Sequence, residues 1–370
     1  MMKRTVLALG IVGLLTACDN DLKINADWKD VPVVYGLLNV EDTVHYVKLN
    51  KAFLGEQDMM VMAQEFDSLH YNPETIGLRL VEYQKIGNQF EVRSIIQMEP
   101  TDEIDKPMGD SIFHYPEQII YKTSEEINMN RFYDAEVYRK SVNAVIAHCT
   151  IPVQMVKPIN FSKPSQGIPL NMVPGSYPAK AEWNTVSGGK LYEMKMLMRY
   201  VEQIKADLSD TVHKSIEWVF PIKQALNLLG GDKMVIIIDA DQFLAFIAAN
   251  IEENPNVYRQ VQGMQAAQVP TGFAISHSCL DFTLNVAGDE LSTYLLLNES
   301  SSSIVTDRPE YSNIENGIGI FSSRSQDYIS GVRINNSTNY EIATHELTNH
   351  LNFAYFELGG DNEIDTLYWN

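Results

Sequence analysis

Near the C-terminus, His345-Glu346-Leu347-Thr348-Asn349-His350 has almost the composition of a zinc-protease helix. That chemistry needs two imidazoles four residues apart on one helix, so that both point at one metal. Here the second histidine follows after five residues and position 349 is Asn, so on a helix the rings diverge. The stretch is read as a polar surface helix or turn, and no zinc is expected. Asp239 and Asp241 end an apolar strand, where a calcium ion or a substrate acid would fit, but Asp241 as the cap of a following helix accounts for them. Asp361, Glu363 and Asp365 alternate in GGDNEID like oxygen ligands, yet they lack the turn glycine and distal glutamate of a calcium loop. GxSxG, CxxC, phosphate-loop and dinucleotide fingerprints are absent from the sequence. The expectation is therefore a protein with no catalytic residues, no metal and no cofactor, and not an enzyme.

A different pattern concerns modification. Each Asp-Ser or Asp-Thr dipeptide precedes an aliphatic residue, which makes Thr43, Ser68, Ser111, Thr211 and Thr366 candidate acceptors. The pattern resembles the O-glycosylation signal of exported Bacteroidota proteins. The same dipeptides also favour turns that lead into strands, and both readings stand. All five are expected in polar loops or turns.

The chain opens as an export signal. Lys3 and Arg4 form a positive region, Val6 to Leu15 an apolar one, and Leu15-Thr16-Ala17-Cys18 a cleavage site ending in Cys. The apolar run is shorter than the roughly 20 residues that a spanning helix needs. This is the lipoprotein pattern: residues 1–17 are removed, Cys18 is acylated, and residues 18–26 form a tether. Losing Lys3 and Arg4 with the signal takes the net charge from −20 to −22. The acid excess is spread along the chain, which argues against nucleic acid or an anionic membrane surface as partner. Of the remaining cysteines, Cys149 and Cys279 can pair in an oxidising compartment or stay buried and free; their expected location in different domains favours the second.

Positioning these groups falls to β structure. At 370 residues the chain predicts about two domains. Period-2 alternation gives VPVVYGLLN and VHYVKLNKAF around an acidic turn, and a hairpin at Gly87-Asn88. A second hairpin closes this unit in RFYDAEVYRKSVNAVIAHCTIPV. Residues 99–118, rich in Pro, Gly and acid, read as a long surface loop. An N-terminal β-sandwich is thus expected over 27–155 and a C-terminal one over 156–370, both immunoglobulin- or fibronectin-like. The Pro-rich stretch VKPINFSKPSQGIPLNMVPGSYP is the linker or an extended first strand. Tyr192, Met194, Met196 and Met198 alternate as core filling in a strand that returns through a hairpin at Asp207 to Thr211. A helical insertion is expected near 241–265: one helix over Asp241–Asn250 and a second over Asn254–Gln265. CLDFTLNVAG and LSTYLLLNES read as further strands around Gly288-Asp289, making the protein mainly β.

In RPEYSNIENGIGIFSSR, Asn316-Gly317 and Gly319 supply positive-φ turns, and Ile318, Ile320 and Phe321 fill a core. The stretch reads first as a structural closing element, and second as a partner-contact loop using Tyr311, Asn313, Asn316 and Arg324. With VVYGLLNVEDTVHYVKLNKAFLGE, MAQEFDSLHY, WNTVSGGKLYEMKMLMRYVEQ and ENPNVYRQV, it resembles a family of uncharacterised Bacteroidota outer-membrane lipoproteins. The resemblance covers nearly the whole mature chain. It implies a gene placed beside TonB-dependent transporters and no catalytic residues. It leads to an expected role on the cell-surface side of the outer membrane, docked on a β-barrel as a transporter accessory or as a subunit of an assembly or export complex. The contact loops would be Glu99–Gln118 and Pro309–Arg324. The alternative is a surface module that binds glycan or peptide.

Overall fold

The computed structural model describes residues 31–52, 59–105, 118–162, 164, 168–269, 272–299, 311–358 and 364–368, with backbone alone at 264–275, 299 and beyond 355. The chain is mainly β, 51% strand against 15% helix, so sheet pairing rather than helix packing places the side chains. Its first strands are β1 (Pro32–Leu38), β2 (His45–Lys51), β3 (Ile76–Ile86), β4 (Gln89–Thr101), β5 (Ile120–Thr123), β6 (Phe132–Arg139), β7 (Ala144–Cys149) and β8 (Val153–Gln154). Two helical turns, α1 (Met59–Met62) and α2 (Phe66–Leu69), separate β2 from β3. Next come β9 (Phe161–Ser162), β10 (Ala179–Asn184), β11 (Leu191–Ile204), β12 (Asp207–Val219), β13 (Lys223–Gln224) and β14 (Lys233–Ile238), then helix α3 (Ala240–Asn250). The remainder is β15 (Val257–Val261), β16 (Met264–Val269), β17 (Gly272–Ala287), α4 (Asp289–Glu299), β18 (Ile314–Glu315), β19 (Ile318–Asn335), α5 (Asn336–Thr344), a 3-10 turn at Asn349–Leu351, β20 (Tyr355–Leu358) and β21 (Ile364–Tyr368).

One strand ties the molecule together. The main sheet runs β12-β11-β17-β19-β1-β2-β5-β4-β3-β6-β7-β18. The first third of β19 lies parallel to β1, with Val33 opposite Ile318 and Leu38 opposite Ser323. Its remainder lies antiparallel to β17, from Ala287 opposite Arg324 to Ser276 opposite Asn335. Two buried clusters flank this strand. One draws on Val34 through Met155 and adds Ile314 and Phe321; the other runs from Val156 to Phe353.

The serines of β19 explain how the Pro-rich segment is held. Ser323, Ser325 and Asp327 alternate along one face of the strand. Their side chains accept hydrogen bonds from the backbone N–H groups of Val156, Ile159 and Phe161 at 3.1, 3.1 and 3.0 Å. The segment from 156 onward therefore runs along β19, with side chains replacing the missing ladder. Further on, Leu170 N–H donates to Arg333 O at 2.7 Å. The predicted linker is a strap.

The residues of the closing element divide by role. Asn313 donates from Nδ2 to Phe321 O at 2.7 Å and accepts from Phe321 N–H at 2.9 Å, locking the turn. Asn316 takes φ 57 and Gly319 φ 119. Ile320 and Phe321 are buried, but Ile318 is exposed, because β19 starts there at the sheet end.

Several expected elements are corrected. Glu99–Thr101 belong to β4 and pair with β5, while residues 106–117 lie outside the described residues. The hairpin after β11 turns at Lys205-Ala206, so 207–211 are strand. Asp239, not Asp241, caps α3, accepting from Asp241 N–H at 3.0 Å and Gln242 N–H at 3.2 Å. The second helix expected at 254–265 is instead β15 and β16: Val257, Arg259 and Val261 alternate inward, and β15 pairs with β11. LSTYLLLNE, read as a strand, lies in α4. Asp289 and Glu290 sit in its first turn, where negative charge suits the helix N-terminus, and the Ser292 and Thr293 hydroxyls both bond Asp289 O.

Candidate functional site

The site with the most suggestive chemistry is a cleft of about 300 Å³ lined by Val201, His213, Gln260, Val261, Gln262, Gly263, His277, Asn339 and Ala354. Its walls come from β11, β12, β15, β17 and α5. Val201 and Gln260 are direct neighbours because β15 pairs with β11. Gly263 takes φ 74 in the tight connection to β16, and its carbonyl accepts from Ser278 N–H at 2.8 Å. Asn335 caps α5 by accepting from Thr338 N–H, which fixes the helix that carries Asn339.

Two side chains at this cleft are almost fully buried, His277 at 2% exposure and Asn339 at 1%. Asn339 donates from Nδ2 to Ala354 O at 3.1 Å, which settles the orientation of its amide, and Oδ1 is left buried without a hydrogen-bond partner. Such an acceptor costs about 1–3 kcal/mol, which a donor on a bound molecule would recover. Burial lowers the His277 pKa to about 4, so the ring is neutral near pH 7. With His213, Gln260 and Gln262 also lining it, the cleft offers hydrogen-bonding groups against small apolar walls. That suits a neutral polar ligand.

The His277 shift has a testable consequence. The unfolded ring binds a proton near pH 6.5 and the folded one only near 4, so this contribution to stability is complete above 6.5 and drains away as pH falls between those values. Urea unfolding at pH 7 and at 4.5 should show the wild type losing about 2–3 kcal/mol more than His277→Met. Equal losses in both proteins would contradict the neutral buried ring.

Behind the cleft sits a buried ion pair. Arg259, 2% exposed, donates from Nε to Glu202 Oε1 at 2.9 Å, from Nη1 to Leu351 O at 2.7 Å and from Nη2 to Glu252 O at 2.8 Å. Burial alone would raise the Glu202 carboxyl, but hydrogen bonds from Lys214 and Arg259 outweigh it and hold the group below its usual range. This network pins residues 351–354, and with them the carbonyl that orients Asn339.

The residues singled out by sequence lie elsewhere. Tyr311 is half-buried, its phenol raised by burial and then by Glu290 and Asp289. Asn313 is buried in the closing turn, Asn316 is exposed, and Arg324 faces Asp42 at 3.8 Å beside the exposed Thr43. Ser68 lies in α2, Thr211 on the exposed face of β12 and Thr366 in β21, so the expected loop placement holds only for Thr43 among these four. Cys18, Ser111, Asp361 and Glu363 lie outside the described residues. His345 ends α5 and His350 sits in the 3-10 turn, on separate elements. Among the described residues no three His, Cys, Asp or Glu side chains come close enough to hold a metal ion. Cys149 and Cys279 are free and buried in separate clusters, their thiols pushed up by burial, that of Cys279 to about 12. Such thiols are poor nucleophiles. No helix among the described residues is long and apolar enough to cross a membrane.

The cleft residues escaped sequence reasoning because positions 213, 260, 277 and 339 share no local pattern. No protein-family model matches the chain, and no curated protein matches it.

Proposed function

We propose that this is a non-catalytic outer-membrane lipoprotein, anchored through Cys18 and docked on an outer-membrane β-barrel. Its role would be that of a TonB-dependent transporter accessory or of a subunit in an assembly or export complex on the cell-surface side. We read its two core clusters as two sandwich-like domains of immunoglobulin or fibronectin type, the second with a helical insertion at α3. The observation that carries the docking reading is the β3–β4 hairpin. From Lys85 to Ile95 every residue but Phe90 is exposed, and Ile86, Val92 and Ile95 are 48–55% exposed. A hairpin with both faces open and apolar side chains outward suits contact with another protein. The tether supports the same reading, since the 13 residues between Cys18 and Pro32 reach no more than roughly 50 Å.

A second reading, a surface module that binds glycan or peptide, is favoured by the buried acceptor of Asn339 in its cleft. Anchoring is tested first. The Cys18→Ala protein is expected to leave the membrane fraction, or to accumulate unprocessed. If it still sediments with outer membranes after high-salt washing, the lipid is not what holds it.

A further inference from the structure

The outer edge of β12 is open: among the described residues, Asp207–Val219 pair only with β11. Every residue from Asp207 to Ser215 is exposed, Leu208 and Val212 by 51% and 46%. An exposed edge of this length is a template for another strand unless its charges forbid pairing. Here the charges select a single partner register.

We infer that this edge pairs antiparallel with the same edge of a second copy of the chain, with Val212 on the two-fold axis. In that register Val212 faces its own copy, Asp210 faces Lys214, and Leu208 faces Ile216. The symmetry repeats each pair on the other side of the axis. One face of the joint thus carries three apolar pairs and two opposite-charge pairs, the kind of cross-strand contact that stabilises sheets. On the other face Ser209 meets Ser215, Thr211 meets His213, and Asp207 meets Glu217 as a like-charge pair at each solvated end. Sliding the axis to Thr211 sets Leu208 against Lys214 and Asp210 against Val212. An axis at His213 sets Asp210 against Ile216 and Lys214 against Val212. Axes at Asp210 or Lys214 put like charges face to face. Lys214 already reaches Glu202 at 2.6 Å within its own chain, and an ammonium has donors to spare for a second carboxylate. Pairing closes both free edges at once and leaves the β3–β4 hairpin available to a different protein.

Cysteine cross-linking on membranes that carry the full-length protein tests this, because Cys149 and Cys279 are buried and Cys18 carries the lipid in the function proposed above; the protein without an added cysteine gives the background. Val212→Cys sits opposite itself and should form a disulfide-linked dimer under mild oxidation. Leu208→Cys, about eight residues from its own copy in this register, should link at least tenfold more slowly. Adding Asp210→Lys or Lys214→Asp to Val212→Cys should each slow linkage at least tenfold. Co-expressing those two proteins should restore it, since each lysine then meets an aspartate. Equal linkage at positions 208 and 212, linkage of position 212 to a different protein, or no recovery on co-expression would each overturn the pairing.

Discussion

Arg259→Met is expected to destabilise the protein by about 3–5 kcal/mol, measured by urea unfolding at pH 7. The guanidinium is buried and its three hydrogen bonds end on Glu202, Leu351 O and Glu252 O, which join β11, the end of α3 and the C-terminal segment. Removing it leaves the buried carbonyl of Leu351 and the part-buried one of Glu252 without this donor, and a buried carboxylate held by Lys214 alone. The attraction between buried charges is largely cancelled by the cost of burying them, so the penalty lies in the partner left behind. Two controls follow. The double variant Glu202→Met/Arg259→Met should recover much of the loss, whereas Lys214→Met, at a half-exposed position, should cost under about 1 kcal/mol. Equal costs for Arg259 and Lys214 would mean that the pair is not buried as described.

Gly319→Ala should be at least as damaging, about 4 kcal/mol or more, because two separate mechanisms act at one position. The residue takes φ 119, a region L side chains avoid, and an added Cβ would fall on the carbonyl oxygen of Val34 in the neighbouring strand. Val34 and Gly319 are register partners in the parallel β1–β19 pair, so the methyl group would push apart the junction between the two halves of the sheet. Gly87→Ala separates the two causes. It also has a positive φ, 62, but nothing lies within 4 Å of its added Cβ, and the expected cost is only about 1–2 kcal/mol. Similar values for the two variants would show that the close approach of β1 to β19 is not there.

Much of the fold was legible where one face of a strand is buried. Tyr192, Met194, Met196, Met198 and Tyr200 alternate in the sequence and are buried in turn, and Gly87 marked its hairpin. Legibility failed where polar groups occupy buried positions or apolar ones are spaced ambiguously. Arg259 inside β15 broke the alternation of Val257 and Val261, so a strand looked helical. The leucines of α4 gave no decisive period, and a run of them reads equally as strand or helix. The largest omission was β19 as the link between both halves. Its pairing with β1 joins residues almost 300 positions apart, and no local signal encodes such a register. The cleft at His277 and Asn339 was hidden for the same reason, being assembled from five distant elements.

Docking of the lipid-anchored protein on a barrel can be read out by isolating the complex. The tagged full-length protein would be purified from gently solubilised outer membranes, resolved on a native gel and analysed by mass spectrometry. The expected product is a stable assembly containing an outer-membrane β-barrel in fixed proportion to this chain. Recovery of the chain alone, as a monomer or only with its own copy, would contradict it.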